Sequence, residues 1–457
     1  MTKKIKSFLI PMLLSIFMAT SCSDTDEQQQ FKIFLDPDAI TMTEGATADI
    51  VVKGVPEGAK VEWKSENQQV AKVTNGKVEA VAKGTTNIEV TATLNGAMSK
   101  ATCAVTVEEN PAKKAIPFAD NNLKKQILAL STSPDANKDG EISVEEAKTV
   151  TTLDFHFETK DAAVEDKIIK DIKGLEYFVN LDTLNLKNQF VTDASPIFKL
   201  NKMEQLILGE NNISTLDVSA MTELKDLRLY GNANLTSLDL KNNTKLEQLY
   251  IQRTALTTLD LTPLKKLTLV MANKARLTSI RFSGLPELNR IELVENDLQE
   301  IDASDLPQLM ELHANGNRLK TVTLKNLPSL QRLNLYGNNL SAIDLNLPKL
   351  MFLFLHDNNF KTLDFSKLPM LFTCIVSNNP MEKIDFSSNT IISNIEATYM
   401  SNLKEIDLKN NNFNEDGEYL IIEGNTVLKK IRVDAGDEET LVKRLTANRP
   451  DIEVTTE

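Results

Sequence analysis

Cysteine, tryptophan and histidine are scarce: 457 residues carry three, one and three of them. So few cysteines rule out a disulfide scaffold. Cys103 and Cys374 fall in segments of different pattern, each on a core-facing position, so two buried free thiols are expected. His156, His313 and His356 lack the spacing of a metal-ligand set. There is no Ser-centred elbow and no Gly-rich phosphate loop, and the carboxylates are scattered along solvent-facing turns. Without a nucleophile, base or open metal set, the chain reads as non-enzymatic. Positive charge is short as well: 51 Lys and Arg against 64 Asp and Glu leave −13, which argues against nucleic acid.

What is present starts at the first residue. "MTKKIKSFLIPMLLSIFMATSC" places Lys3, Lys4 and Lys6 before an apolar run and then small residues. The run falls short of the ~20 residues of a spanning helix, so it reads as a secretory signal. Ala19-Thr20-Ser21-Cys22 resembles a bacterial lipobox, which makes Cys22 the lipidated residue of the mature N-terminus. The acidic "SDTDEQQQ" behind it resembles the surface-export signal of lipoproteins in some Gram-negative anaerobes. Removing residues 1–21 with their three lysines takes the charge from −13 to −16.

Short stretches alternating with a period of two follow, such as "ADIVVKG", "KVEWKSE" and "SKATCAVTVEE", with turn residues between them. That is the pattern of a small β-sandwich. "VEWKSENQQVAKVTNGKVEAVAKGTTNIEVTAT" resembles the bacterial Ig-like group 2 family, with Trp63, Val70, Val78, Gly84 and Ile88 at its core and turn places. The resemblance implies a spacer or stalk with Trp63 in its core, and "VEENPAKKAIP" reads as a linker after it.

The loudest signal is a repeat of 20–22 residues starting at Leu181, Met203, Leu224, Leu246, Leu267, Leu288, Leu309, Leu330, Leu350, Leu371 and Ile392. Its template is L-x-x-L-x-L-x-x-N-x-L, with a partial copy, "LKKIRVD", from Leu428. This resembles the leucine-rich repeat superfamily, in the short form of bacterial, internalin-like members. Positions 1, 4, 6 and 11 must point inward, since no coil can bury its apolar face alone. Asn at position 9 can satisfy backbone groups at the bend, from Asn211 to Asn379. Gln189, Thr254, Ala275 and Met400 are expected to break that ladder and loosen their coils. The second half of each coil is too short for a helix, and "ETLVKRLTANRP" reads as a closing helix capped by Asp437 or a neighbour and stopped by Pro450.

Just before the repeats, "DANKDGEISVEE" fills every slot of an EF-hand-like loop. Asp135, Asn137 and Asp139, the Glu141 carbonyl, Ser143 through water, and bidentate Glu146 are the expected ligands of one Ca2+, with Gly140 at the turn and Ile142 as anchor. Sensors pair two such loops; a single one reads as a structural staple in a helical cap over the first coil.

The expected fold is therefore β-rich and multidomain: an Ig-like β-sandwich, a helical calcium-binding cap, and a curved solenoid with a parallel β-sheet on its concave face. The segments are a lipoprotein signal peptide (1–21), an acidic tether (22–32), the Ig-like domain (33–109), linker and N-terminal cap (110–175), leucine-rich repeats (176–434) and C-terminal cap (435–457). Positions 3, 5 and 7 read the concave face. There Arg332, Tyr336, Phe352, Phe354 and His356 form one patch, and Tyr230, Tyr250 and Arg253 belong to a weaker second one. The expectation is an outer-membrane, lipid-anchored protein facing the exterior, an adhesin or recognition protein with a protein ligand. Its alternatives are a carbohydrate-binding accessory lipoprotein and a structural envelope role.

Overall fold

The computed structural model describes residues 30–159, 165–410, 412 and 420–457. The expected signal peptide, the expected lipidation site Cys22 and most of the expected tether lie outside the described residues. Contacts divide the chain into two units, Met1–Pro111 and Ala112–Glu457.

The first unit is a sandwich. One sheet runs in the order Ala39–Thr43, Ala97–Glu108, Gly84–Leu94, Lys60–Ser65, and faces a sheet of Thr47–Asp49, Lys77–Ala80 and Ala71–Thr74. Period-two alternation turns Ile88, Val90 and Ala92 inward against Cys103, Val105 and Val107. Trp63 is half-buried against this core beside Gly76. At Gly76 the φ of +83° and a carbonyl oxygen 2.6 Å from any added Cβ leave room for glycine alone.

The second unit is a solenoid built on a parallel sheet of thirteen three-residue or shorter strands. Register places the position-4 residues in one buried file, with Leu312, Leu333, Leu353, Cys374 and Ile395 as successive partners. One continuous apolar core runs from Ile116 to Ile452. The sheet starts earlier than the repeats suggested: its first strand, Thr152–Asp154, lies inside the segment expected to be the cap. The copy at Leu428 is also displaced, because its strand Lys430–Arg432 joins a second sheet with Lys383–Asp385, Glu405–Asp407 and Glu453–Thr455. Both halves of a coil carry the same leucine spacing, as "LKEIDLK" shows at 403–409, so a truncated copy does not reveal its side. No described helix is long and apolar enough to cross a membrane.

The asparagine ladder forms with fewer breaks than expected. Asn338 donates to the carbonyls of Ala314 (3.0 Å) and Leu335 (2.9 Å) and accepts from the Leu319 amide (3.0 Å). Gln189 does not interrupt it: its side chain is fully buried, accepts from Ile169 N–H at 2.7 Å and donates to the Phe155 carbonyl. The longer amide reaches the equivalent amide and carbonyl of the coil before. At Ala275 the neighbouring Asn296 Oδ1 accepts from both Ala275 and Leu277. After Met400 the ladder resumes in the next coil, where Asn425 Oδ1 accepts from the Met400 amide at 2.8 Å.

At the C-terminal end, the helix Asp437–Leu445 follows Gly436, and no side chain caps it. The expected cap by Asp437 is replaced by a reach-back of Glu438, which accepts from the Asp434 amide at 2.7 Å.

Candidate functional site

The site residues stand on the open face of the thirteen-stranded sheet. Strands Arg332–Asn334 and Phe352–Phe354 are direct neighbours, with Arg332 opposite Phe352 and Asn334 opposite Phe354. The middle residue of each strand points into the core, so its two flanking residues are left half-buried on the outside. Arg332 therefore lies over aromatic rings, 4.3 Å from the Phe352 centroid and 5.6 Å from that of Phe354. Two residues on, Tyr336 and His356 stack at 4.3 Å and 14°. Phe372 closes the side edge-on to Phe352 at 6.5 Å.

The sequence thus placed all five members of the first patch together. It overlooked Asn334, whose buried Oδ1 has no hydrogen-bond partner; His356 Nδ1 is in the same position. Position 5 marks Asn334 as face-directed, but a search for aromatic residues passes over it. Burial holds the His356 imidazole below its ordinary value, against the opposing pull of Asp357 and Glu396, so it is neutral near pH 7.

The second group sits further along the same sheet. Tyr230, Tyr250 and Arg253 line a cavity of about 470 Å³ with Arg228, Gln252, Asn273 and Lys274. Arg228 lies 4.8 Å from the Tyr250 centroid and is fixed by Asp226 at 2.8 Å. Arg253 occupies a left-handed turn residue, φ +55°, rather than a strand, and pairs with Glu210. Gln252 Oε1 is buried and unpartnered. Between the two patches the face is charge-paired: Arg290 with Glu292 (2.5 Å) and Glu311 (3.2 Å), and Glu311 with His313 (3.2 Å).

The EF-hand-like loop curls through left-handed residues at Lys138 (φ +59°) and Gly140 (φ +79°). Asp135 accepts from the amides of Asp139 (3.2 Å) and Gly140 (3.0 Å), and Asp139 from Glu141 (2.8 Å). Asn137 accepts from Asp139 N–H at 3.0 Å. Glu146 closes the loop, accepting from Ala136 (2.9 Å) and from both the amide and hydroxyl of Ser143 (2.8 Å each). Burial opposes ionisation of Glu146, but bonds from Ser143, Ala136 and Asn137 outweigh it and hold the carboxyl below its ordinary value. Ile142 is fully buried, and its carbonyl accepts from Ile116 N–H at 2.8 Å. Residues 114–116, read as linker, thus pair with the loop where a second loop stands in sensors. The Glu141 carboxylate is engaged by Lys124 at 2.5 Å, leaving its carbonyl as the available donor. An all-oxygen donor set on this path suits a hard cation such as Ca2+. Its carboxylates are nonetheless tied to loop amides, and among the described residues no three Asp, Glu, His or Cys side chains form a group able to hold a metal.

These features define the class: an Ig-like domain followed by a leucine-rich-repeat solenoid of about thirteen turns with internalin-like structural neighbours. Residues 32–105 match the model of the bacterial Ig-like domain (group 2). Among solved structures, the functional domain of InlJ from Listeria monocytogenes is 22% identical, with 75% of this chain and 82% of that one covered and a TM-score of 0.55. An internalin, InlF, from Listeria monocytogenes str. 4b F2365 is also 22% identical, with 76% and 99% covered and a TM-score of 0.51. At that identity the likeness is one of fold. The InlJ domain includes a cysteine ladder, whereas here Cys374 has Leu353 and Ile395 as its register partners. No curated protein matches the chain.

Proposed function

We propose that the protein is a non-enzymatic cell-surface lipoprotein, anchored in the outer membrane through Cys22 and facing outward, that binds a protein partner through the open face of its repeat sheet. The observation that carries this reading is the patch of Arg332, Tyr336, Phe352, Phe354 and His356: half-buried aromatics and a stacked arginine, on strands too short to need them for the core. Such residues supply most of the binding free energy in protein interfaces. Replacing Phe352 and Phe354 together by Ala should leave the unfolding midpoint unchanged and weaken partner binding at least about 30-fold, as hot spots of about 2 kcal/mol or more do. The measurement is binding of the full mature chain to a panel of secreted and cell-surface proteins. Unchanged affinity rejects the patch.

The tyrosine-lined cavity supports a second reading, glycan binding, since Tyr230 and Tyr250 offer ring faces for a sugar. Binding on a glycan array that a single Tyr250→Ala change removes would favour it.

The loop of Asp135, Asn137, Asp139, Glu141, Ser143 and Glu146 is proposed to hold one structural Ca2+, which would fix the start of the solenoid. A site of about 10⁻⁴ M at millimolar Ca2+ contributes about 1.4 kcal/mol, so chelation should lower the melting temperature by a few degrees. Glu146→Gln should abolish that response. A large opening motion on calcium titration would refute the staple.

A further inference from the structure

Arginines in this chain are almost all spoken for. Of ten, seven are ion-paired. Of the other three, Arg276 and Arg444 are exposed, while Arg332 is half-buried on the open face. The two other face arginines have an acid two residues away on their own strand, Asp226 for Arg228 and Glu292 for Arg290. At Arg332 that place is taken by Asn334. Glu311, opposite Arg332 in register, is engaged by Arg290 and His313 instead. Arg332 thus keeps its N–H donors unmet while two aromatic rings hold its guanidinium in place and strip part of its water.

Resting on the protein-binding reading, we infer that the partner presents an Asp or Glu carboxylate to Arg332 from an extended segment lying along its strand. A carboxylate matches the fork of a guanidinium with two parallel hydrogen bonds. Arg332 and Asn334 are alternate residues of one strand, about 6.6 Å apart, and alternate residues of an extended polypeptide repeat at the same distance. That spacing favours a polypeptide lying along the strand. The stacked rings of Tyr336 and His356 line its onward path.

The test uses the full mature chain and a phage-displayed random peptide library. Enriched peptides are synthesised with both ends blocked, and again with each Asp or Glu changed to Asn or Gln. Their affinities are measured on the wild type, Arg332→Lys and Arg332→Met, after equal unfolding midpoints confirm that the variants fold. The enriched peptides should share one acidic residue whose amide form binds the wild type at least about tenfold more weakly. On Arg332→Met the acid and amide forms should differ less than about twofold, and Arg332→Lys should retain part of the discrimination. Equal acid-to-amide ratios on wild type and Arg332→Met overturn the inference. So does failure of any peptide to enrich, Arg332-dependent binding of sialylated oligosaccharides instead of peptides, or Arg332-dependent self-association of the chain. If Phe352→Ala with Phe354→Ala abolishes binding while Arg332→Met does not, this inference fails and the binding face stands. If neither matters, the face itself is wrong.

Discussion

Asn338→Ala should destabilise the solenoid by about 2–4 kcal/mol, among the larger losses expected from a single polar substitution in it. The side chain is 7% exposed and serves four backbone groups, three carbonyls and one amide, in its own coil and the one before. Each buried group left without a partner costs about 1–3 kcal/mol. The full sum is not expected, because two of the carbonyls keep a second donor from an adjacent rung: Ala314 accepts also from Asn317 (3.0 Å) and Leu335 from Asn358 (3.0 Å). Asn338→Gln should cost less, since Gln189 already performs part of the same task in the first coil, serving one amide and one carbonyl. Urea unfolding gives the magnitude. Hydrogen exchange should show the loss concentrated in the coils flanking residue 338, as nearest-neighbour stacking requires. A change below about 0.5 kcal/mol for the Ala variant would mean that the ladder accompanies the fold without holding it.

The sequence made the interior legible because apolar side chains at fixed spacing have one low-cost solution, stacking coil on coil. Leu330, Leu333, Leu335 and Leu340 are all fully buried, as positions 1, 4, 6 and 11 demand. What it could not reveal was the turn that follows each strand. Position 8 is left-handed in successive coils, at Asn188, Glu210, Gly231, Arg253, Lys274, Glu295, Gly316 and Gly337, with φ from 53° to 76°. Only three of those eight are glycine, so the usual residue signal for that conformation is diluted by packing that imposes it. The site was readable to the same depth. Period alone brought Phe352, Phe354, Tyr336 and His356 to one face. Whether an arginine there is paired depends on which carboxylate register sets beside it, and that separates Arg228, fixed by Asp226, from Arg332. In the loop proposed to hold calcium, residue types filled the slots, whereas the direction each carboxylate takes is decided by competition with loop amides.

The C-terminal end should weaken as pH rises from about 4.5 to 7 and level off above that, and Glu438→Gln should remove the slope. Glu438 is 3% exposed, and burial pushes its carboxyl up to about 7; the Asp434 amide pulls it back and the Asp434 carboxylate raises it further. In the unfolded chain the same group ionises near 4.3, at about the ordinary glutamate value. The folded form therefore holds the proton more tightly. Its contribution is complete below the unfolded value and lost as pH climbs through the folded one. A shift of that size corresponds to about 4 kcal/mol, a ceiling because the first turn of a helix favours a negative charge. Glutamine keeps an acceptor for the Asp434 amide, whose bond measures 2.7 Å, and cannot ionise. The comparison is therefore between wild type and variant in urea at pH 5 and pH 8, where every other titrating group cancels. Glu438→Gln should gain stability over the wild type at pH 8 relative to pH 5, with the extra protection mapped by hydrogen exchange to the helix Asp437–Leu445 and the strand Glu453–Thr455 that follows it. A wild-type-to-variant difference that stays constant between the two pH values would show that Glu438 is ionised in the folded chain throughout, with the helix terminus outweighing its burial.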